Sequence, residues 1–381
     1  MGLIRLILAI CVVVSHVRDF VLNPVGVGLS ATILPLNGNL AVAFFFVLSG
    51  YLISYALHNK YPTSLNGTYS FFKSRALRIY PLWWILYLFS VIVLGSGLVN
   101  WLTHPSVETI SSFFLFGSDW ILAFKTYPVM YDNHFPNGTG IGWSLASELS
   151  FYALSPFLLR STAASVIVFL FSALIRFTFL FVNGNAYNDA WVAFCYCFFP
   201  STILFFLIGH FARMLTPHLS FGVLISWVFA CGSFLICLFT IGRPFDNAFL
   251  YAAVLLFAAA LPCIFESSKN SRTLNAIGDL TYPLYLVHVT IIILSFDTRF
   301  RAVDVTQGAI GWIKSTLPAG DFCQGLAIEL IYLSVCLSVA AAVHYLIEKP
   351  LRPRLAAVID MIETSFSQLR NERIKAPKQA S

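Results

Sequence analysis

The sequence predicts an all-α membrane protein, a polytopic bundle of about ten transmembrane helices with both termini cytoplasmic. Three observations carry that expectation. Hydrophobic residues make up 58% of the 381-residue chain and charged residues only 10%, against about 25% charged in an ordinary soluble domain. The mean hydropathy is +0.80. The apolar residues also gather into stretches of roughly 20, the length an α-helix needs to cross a bilayer. These cover residues 3–22, 39–58, 78–98, 141–159, 163–183, 190–213, 220–241, 247–266, 279–297 and 324–347. A shorter apolar piece, 107–124, is interrupted by Gly117 and Asp119 and reads as an interfacial or re-entrant segment.

Charge sets the expected orientation. With the N-terminus inside, 16 of the 23 Lys and Arg residues fall on inner segments and 7 toward the outside, the bias that marks cytoplasmic loops. The outer loops 99–140 and 298–323 carry the acids Glu108, Asp119, Asp132, Asp304 and Asp321. The net charge of +6 is scattered through loops and tail, so it reads as topology and excludes a nucleic-acid partner. Residues 1–350 form one transmembrane domain, and 351–381 a basic cytoplasmic tail. The first apolar stretch has no small-residue cleavage site after Val14 and reads as a retained span. The 8 Cys residues fall mostly in apolar segments with no CxxC pair, so neither a metal nor a redox centre is expected.

Several elements carry polar groups that an apolar helix has to account for. In the first span Arg5 and His16 are separated by about 1,100° of helical rotation, three turns plus ~20°, so they share one face ~16 Å apart. His16 reads either as a buried, hydrogen-bonded histidine or as a proton-moving group; Arg5 reads as its partner or as a snorkelling anchor. The second span, NLAVAFFFVLSGYLIS, places Gly50 with Ser49 and Ser54, a pattern for close helix packing. FFKSRALRIYPLWW puts Arg75 and Arg78 on one face beside Lys73. That cluster reads as an anion site or as positive-inside anchoring, with Trp83 and Trp84 as interfacial belt residues.

The fourth span, GIGWSLASELSFYALSP, lines up Ser144, Glu148 and Tyr152 at i, i+4 and i+8. An intramembrane carboxylate has to pair, protonate or face a cavity. Glu148 orients His16, touches a substrate hydroxyl, or pairs with Arg5, Arg75 or Arg78. Arg176 in the fifth span needs a partner: an acceptor molecule, Glu148 or Asp189. In the ninth span Tyr285 and His288 are i, i+3 neighbours. Near the end of the tenth, Glu348 and Arg352 at i, i+4 terminate the helix.

Taken together, Arg5-x10-His16, FFFVLSGYLI, RALRIYPLWW, WSLASELSFY, YPLYLVHV and EKPLR, in this order, resemble the integral-membrane acyltransferase family 3. Its members acylate extracytoplasmic carbohydrates and some small molecules. The resemblance implies ten helices with both termini inside, His16 as the essential histidine and Arg5 as its partner. It further implies Arg75 and Arg78 as the arginines that hold an acyl-CoA donor, Glu148 as the acid of the WSL-x-x-E segment, and Tyr285 and His288 as its Tyr-Leu-x-His segment. Two departures stand out: the chain starts MGLIRL, without the family's usual Asp-Gly, and the expectation is a stand-alone membrane unit without the esterase-like C-terminal domain that many members carry.

The resulting expectation is an O-acetyltransferase of the bacterial inner membrane. Acetyl-CoA docks on Arg75 and Arg78, with Lys73 beside them. His16 acts as general base or transient acyl carrier, with Glu148 and Arg5 setting its electrostatics. The acceptor is a carbohydrate or glycolipid hydroxyl, with Arg176, Tyr152, Tyr285 and His288 as candidate substrate contacts and no metal. A longer acyl group such as succinyl, or a small-molecule acceptor, fits the same residues. The competing reading from another class is a proton-coupled secondary transporter with His16 and Glu148 as relay. That reading leaves the Arg75/Arg78 cluster unexplained.

Overall fold

A computed structural model describes residues 1–27, 38–93, 102–103, 106–125, 141–183, 192–216, 222–238, 248–296, 302–317 and 321–375. Among these, helices account for nearly all regular structure: α1 (Gly2–Val17), α2 (Gly38–Asn59), α3 (Leu65–Val93), α4 (Val107–Phe114), α5 (Ser118–Lys125), α6 (Gly142–Leu158), α7 (Thr162–Asn183), α8 (Phe199–Met214), α9 (Val223–Leu238), α10 (Ala248–Ser268), α11 (Arg272–Asp279), α12 (Thr281–Phe296), α13 (Ala302–Thr316), α14 (Asp321–Val343) and α15 (Lys349–Lys375). Wider π turns follow α1 at Arg18–Leu22, precede α8 at Val192–Cys197 and link α14 to α15 at His344–Glu348. The acids Asp132 and Asp189, and Arg243, Arg299 and Arg301, lie outside the described residues.

The expected ten-span bundle, with its cytoplasmic termini, needs correcting. Among the described residues, six helical stretches are long and apolar enough to cross a membrane: Gly38–Asn59, Leu65–Val93, Thr162–Asn183, Ala248–Ser268, Arg272–Phe296 and Phe322–Ser365. The other four predicted spans are the shorter helices α1, α6, α8 and α9, of 16, 17, 16 and 16 residues. At 1.5 Å per residue a 16-residue helix reaches about 24 Å, short of a ~30 Å hydrocarbon core. Apolar composition ran past the end of α1 and ahead of the start of α8. After Val17 the chain winds into a π turn that carries Arg18 and Asp19, and the predicted 190–213 span is divided by the Val192–Cys197 turn before α8. Among the described residues, the protein is an integral membrane bundle with six long apolar helices and four shorter ones packed with them.

α1 sits at the centre. Its Ile4, Leu8, Cys11 and Val12 join a core built largely from α2, α3, α6, α8 and α10. Its Ala9, Val13 and Val17 join a second core made by α12, α13 and α14. A helix apolar on every face belongs inside a bundle. α1 and α12 run in the same direction: Gly2 backs onto Leu274 and Gly278, and His16 reaches His288.

A close helix crossing joins α2 to α8. A Cβ on Gly50 would fall 1.8 Å from the Phe206 carbonyl oxygen, and one on Gly209 would fall 1.9 Å from that of Val47. The two backbones meet because neither glycine has a side chain, as small-residue contacts in membranes allow. α7 shows the reverse of a soluble amphipathic helix. Its Ser165, Ser172 and Arg176 are buried, whereas Ile167, Leu170, Phe171, Leu174 and Phe181 face outward.

The expected interfacial piece forms α4 and α5, of eight residues each, joined by a turn with positive φ at Leu115 (51°) and Gly117 (75°). The aromatic run of α3 caps α4. Trp83 and Trp84 donate their indole N–H to Ser112 and Phe113 carbonyls at 3.0 Å each, Tyr80 donates to Phe114 at 2.9 Å, and Tyr87 to Thr109 at 3.0 Å. The Phe113 and Phe114 carbonyls, left open at the helix C-terminus, thus gain partners from side chains that composition alone marks as membrane-interface residues.

Candidate active site

One cavity of about 930 Å³ of empty space opens between α1, α2, α3, α6 and α12. Arg5, Arg75 and Arg78 line it together with Glu148, Tyr152, Ser144, Ser49 and Tyr285; Phe45, Phe46, Leu48, Leu52 and Ile53 supply an apolar wall. Helical spacing explains the convergence. Arg75 and Arg78 share a face of α3, and Ser144, Glu148 and Tyr152 form a stripe on α6.

The polar groups of the cavity hold one another. Glu148 Oε1 accepts from Ser49 Oγ at 3.0 Å and from the Tyr152 hydroxyl. Ser144 Oγ donates to the Ile141 carbonyl at 3.0 Å. Its one proton is thereby used, so at the 2.5 Å contact between Ser144 and Tyr285 the Tyr285 hydroxyl is the donor. Arg75 lies over the Phe71 and Tyr152 rings at 5.8 and 5.9 Å, and its Nε is buried without an acceptor.

The charge of this cavity is unbalanced. It holds three guanidinium groups against one carboxylate, and among the described residues no acid lies within ion-pair distance of Arg5, Arg75 or Arg78. Cations gathered in a partly apolar cleft are costly unless an anion joins them.

His16 stands further along. The cavity wall ends at Ser144 and Tyr285, and His288 lies one helical turn beyond Tyr285, with ring centroids 5.7 Å apart. His16 Nδ1 meets His288 Nε2 at 2.8 Å, with the rings stacked at 5.0 Å. The hydrogen bonds assign the tautomers. The Leu284 carbonyl can only accept, so His288 Nδ1 donates to it at 3.3 Å. Neutral His288 then accepts at Nε2, so His16 donates from Nδ1, which leaves the lone pair of His16 Nε2 open.

The remaining predicted residues fall elsewhere. Lys73 turns from the cavity to α15, pairing with Asp360 at 2.6 Å and Glu363 at 2.8 Å. Arg176 is fully buried. It donates to Tyr251 at 3.0 Å, to the Cys195 carbonyl at 2.5 Å and to Ser201, tying α7 to α10 and to the start of α8, and it does not line the cavity. Its proposed partner Asp189 lies outside the described residues. Arg176→Met is expected to lower thermal stability in detergent by about 1–3 kcal/mol, the cost of leaving buried acceptors unsatisfied, without changing the KM of any substrate. A changed KM at unchanged stability would contradict that packing role.

Three groups escaped the sequence reading. Ser49, read there only as a packing residue, bonds Glu148. Thr281 and Tyr282 line the cavity. The His16–His288 pairing depends on how far α1 and α12 are offset, which no local spacing encodes. Glu148, one candidate to orient His16, is bonded to Ser49 and Tyr152 in the arginine-lined cavity instead.

A protein-family model described as an acyltransferase domain matches residues 1–343. No curated protein and no solved structure matches the chain.

Proposed function

This chain belongs to the acyltransferase family 3, and from that premise we propose that it moves an acetyl group from acetyl-CoA to a hydroxyl of an exported or lipid-linked carbohydrate. Family membership makes it a membrane acyltransferase that uses an acyl-CoA-type donor. The acetyl group, the carbohydrate acceptor, a bacterial inner-membrane location and the residue roles are our reading.

The observation that carries it is the trio Arg5, Arg75 and Arg78, without an ion-pair partner among the described residues, in a cavity that also has an apolar wall. A CoA thioester has the matching shape: phosphates for the guanidinium forks and a neutral pantetheine arm for the apolar wall. Glu148 holds the local charge in check and fixes Tyr152.

In the reaction the arm presents its thioester toward Tyr285 and the histidine pair. The acceptor hydroxyl oxygen attacks the thioester carbonyl while His16 Nε2 takes the hydroxyl proton. A C–O bond forms, the C–S bond breaks, and the proton passes to the departing thiolate, giving the acetyl ester and free CoA. His288 acts through His16 as a positioning residue, holding the tautomer that leaves Nε2 open.

The test uses membranes from cells with and without the chain, supplied with isotopically labelled acetyl-CoA. Mass spectrometry of the surface polysaccharide then looks for labelled, base-labile acetyl. Its appearance only with the chain supports the proposal. CoA-independent solute uptake into proteoliposomes, without any labelled ester, would replace it with the transporter reading.

A further inference from the structure

A second cleft meets the first at Arg75 and Arg78. It is an open groove of about 1,070 Å³ of empty space between α3 and α15, lined by Ser70, Lys73, Ser74, Arg352 and Ala356 besides the two shared arginines. Arg352 and Ala356 belong to α15, beyond the 1–343 family match. From the sequence, Arg352 is the helix-terminating partner of Glu348; it makes that bond, but the chain does not end its helix there and stays helical through the pair into α15. Both bonds of Arg352, to Glu348 and to the Arg78 carbonyl at 3.3 Å, leave from one terminal nitrogen. Its second terminal nitrogen makes no bond among the described residues, and its Nε is buried without an acceptor. Five N–H donors make an Arg a fork for phosphate, and this fork has unused prongs.

The two clefts differ in the way the two halves of a CoA thioester differ. The inner one is walled by Phe45, Phe46 and Leu52 and suits the neutral arm. The outer one is open and basic. Phosphates set against that apolar wall would lose their hydration without compensation, so they sit where the two clefts meet, at Arg75 and Arg78, and outward from there. Three acids near the groove are already engaged, Asp360 and Glu363 by Lys73 and Glu348 by Arg352 and His344, while Asp279 is within electrostatic reach of Arg352.

Resting on the acyl-CoA reading above, we propose that the α3–α15 groove is the nucleotide subsite of the donor. Arg352 is a phosphate contact there, and the C-terminal helix forms one wall of the donor site. Arg75 and Arg78 stand at the junction, where the nucleotide gives way to the arm.

The test compares acetyl-CoA with acetyl-pantetheine, which lacks the nucleotide, on the full chain in liposomes. Arg352→Gln is expected to raise the KM for acetyl-CoA about tenfold, the loss of one charge-assisted contact, and to leave that for acetyl-pantetheine within about twofold. Because Arg352→Gln also strips Glu348 of a partner, Ala356→Glu gives a second readout. It adds a carboxylate to the groove wall one turn beyond Arg352 while leaving both Arg352 and Glu348 in place, and it should raise the acetyl-CoA KM by a similar factor, with Ala356→Gln, of matching size, several-fold less effective. If Ala356→Glu alters both donors equally, or neither, the nucleotide subsite is elsewhere and this proposal is wrong, while the acyltransfer reading stands. Transfer from neither donor by the wild-type chain would overturn the acyl-CoA reading and the subsite with it.

Discussion

His16→Ala is expected to lower the turnover of acyl transfer by about 10²–10⁴-fold, the range a positioned general base supplies, and to leave the donor KM nearly unchanged. The arginines that would hold the donor line a cavity whose wall ends at Tyr285, short of His16, so removing the imidazole takes away the proton acceptor and not the donor contacts. His288 gives a graded companion. His288→Leu leaves His16 Nδ1 with nothing to donate to and frees the tautomer, so turnover falls. His288→Gln offers a side-chain oxygen in place of Nε2 and should recover part of the loss. Stopped-time assays with labelled acetyl-CoA, at matched protein levels, read both series. Full turnover in His16→Ala would remove His16 from the chemistry.

Gly50→Val is expected to abolish folded protein. Its Cβ would sit 1.8 Å from the Phe206 carbonyl oxygen and 2.8 Å from Phe206 Cα, both backbone atoms that no rotamer change can move. Ordinary contact lies near 3.5–4.0 Å, so α2 and α8 would have to part by roughly 2 Å. The same interface holds the Phe46–Phe206 stack at 4.5 Å and the Ser54–His210 bond at 2.8 Å, and both open with it. Losses above about 4 kcal/mol come from a short set of mechanisms that includes core overpacking. Gel filtration of the detergent-solubilised variant should show aggregate in place of the wild-type peak, and Gly209→Val should do the same from the other side. A Gly50→Val chain that elutes and melts like wild type would mean that the two backbones can part at little cost.

The residues legible from sequence were those whose partners lie on their own helix. Arg75 with Arg78, and Ser144 with Glu148 and Tyr152, are set by helical periodicity, and these groups do face one cavity. Composition likewise sufficed for an all-α membrane bundle. It did not suffice for the number of spans, because an apolar stretch does not stop where its helix stops: the turn at Val192–Cys197 is as apolar as the helix after it. Contacts between distant helices were also out of reach. Lys73 belongs to the same basic run as Arg75 and Arg78, yet it turns to α15, because Asp360 and Glu363 are there to meet it.

The order of synthesis gives the histidine pair a further meaning. His16 and His288 are 272 residues apart in the chain, and at the usual 5–20 residues per second the second arrives roughly 14–54 s after the first. During that interval α1 has neither α12 nor α14 beside it, so Arg5 and His16 wait in an unfinished bundle. Assembly of the site is therefore among the last events of biogenesis, and a nascent chain arrested before α12 would be inserted but inert.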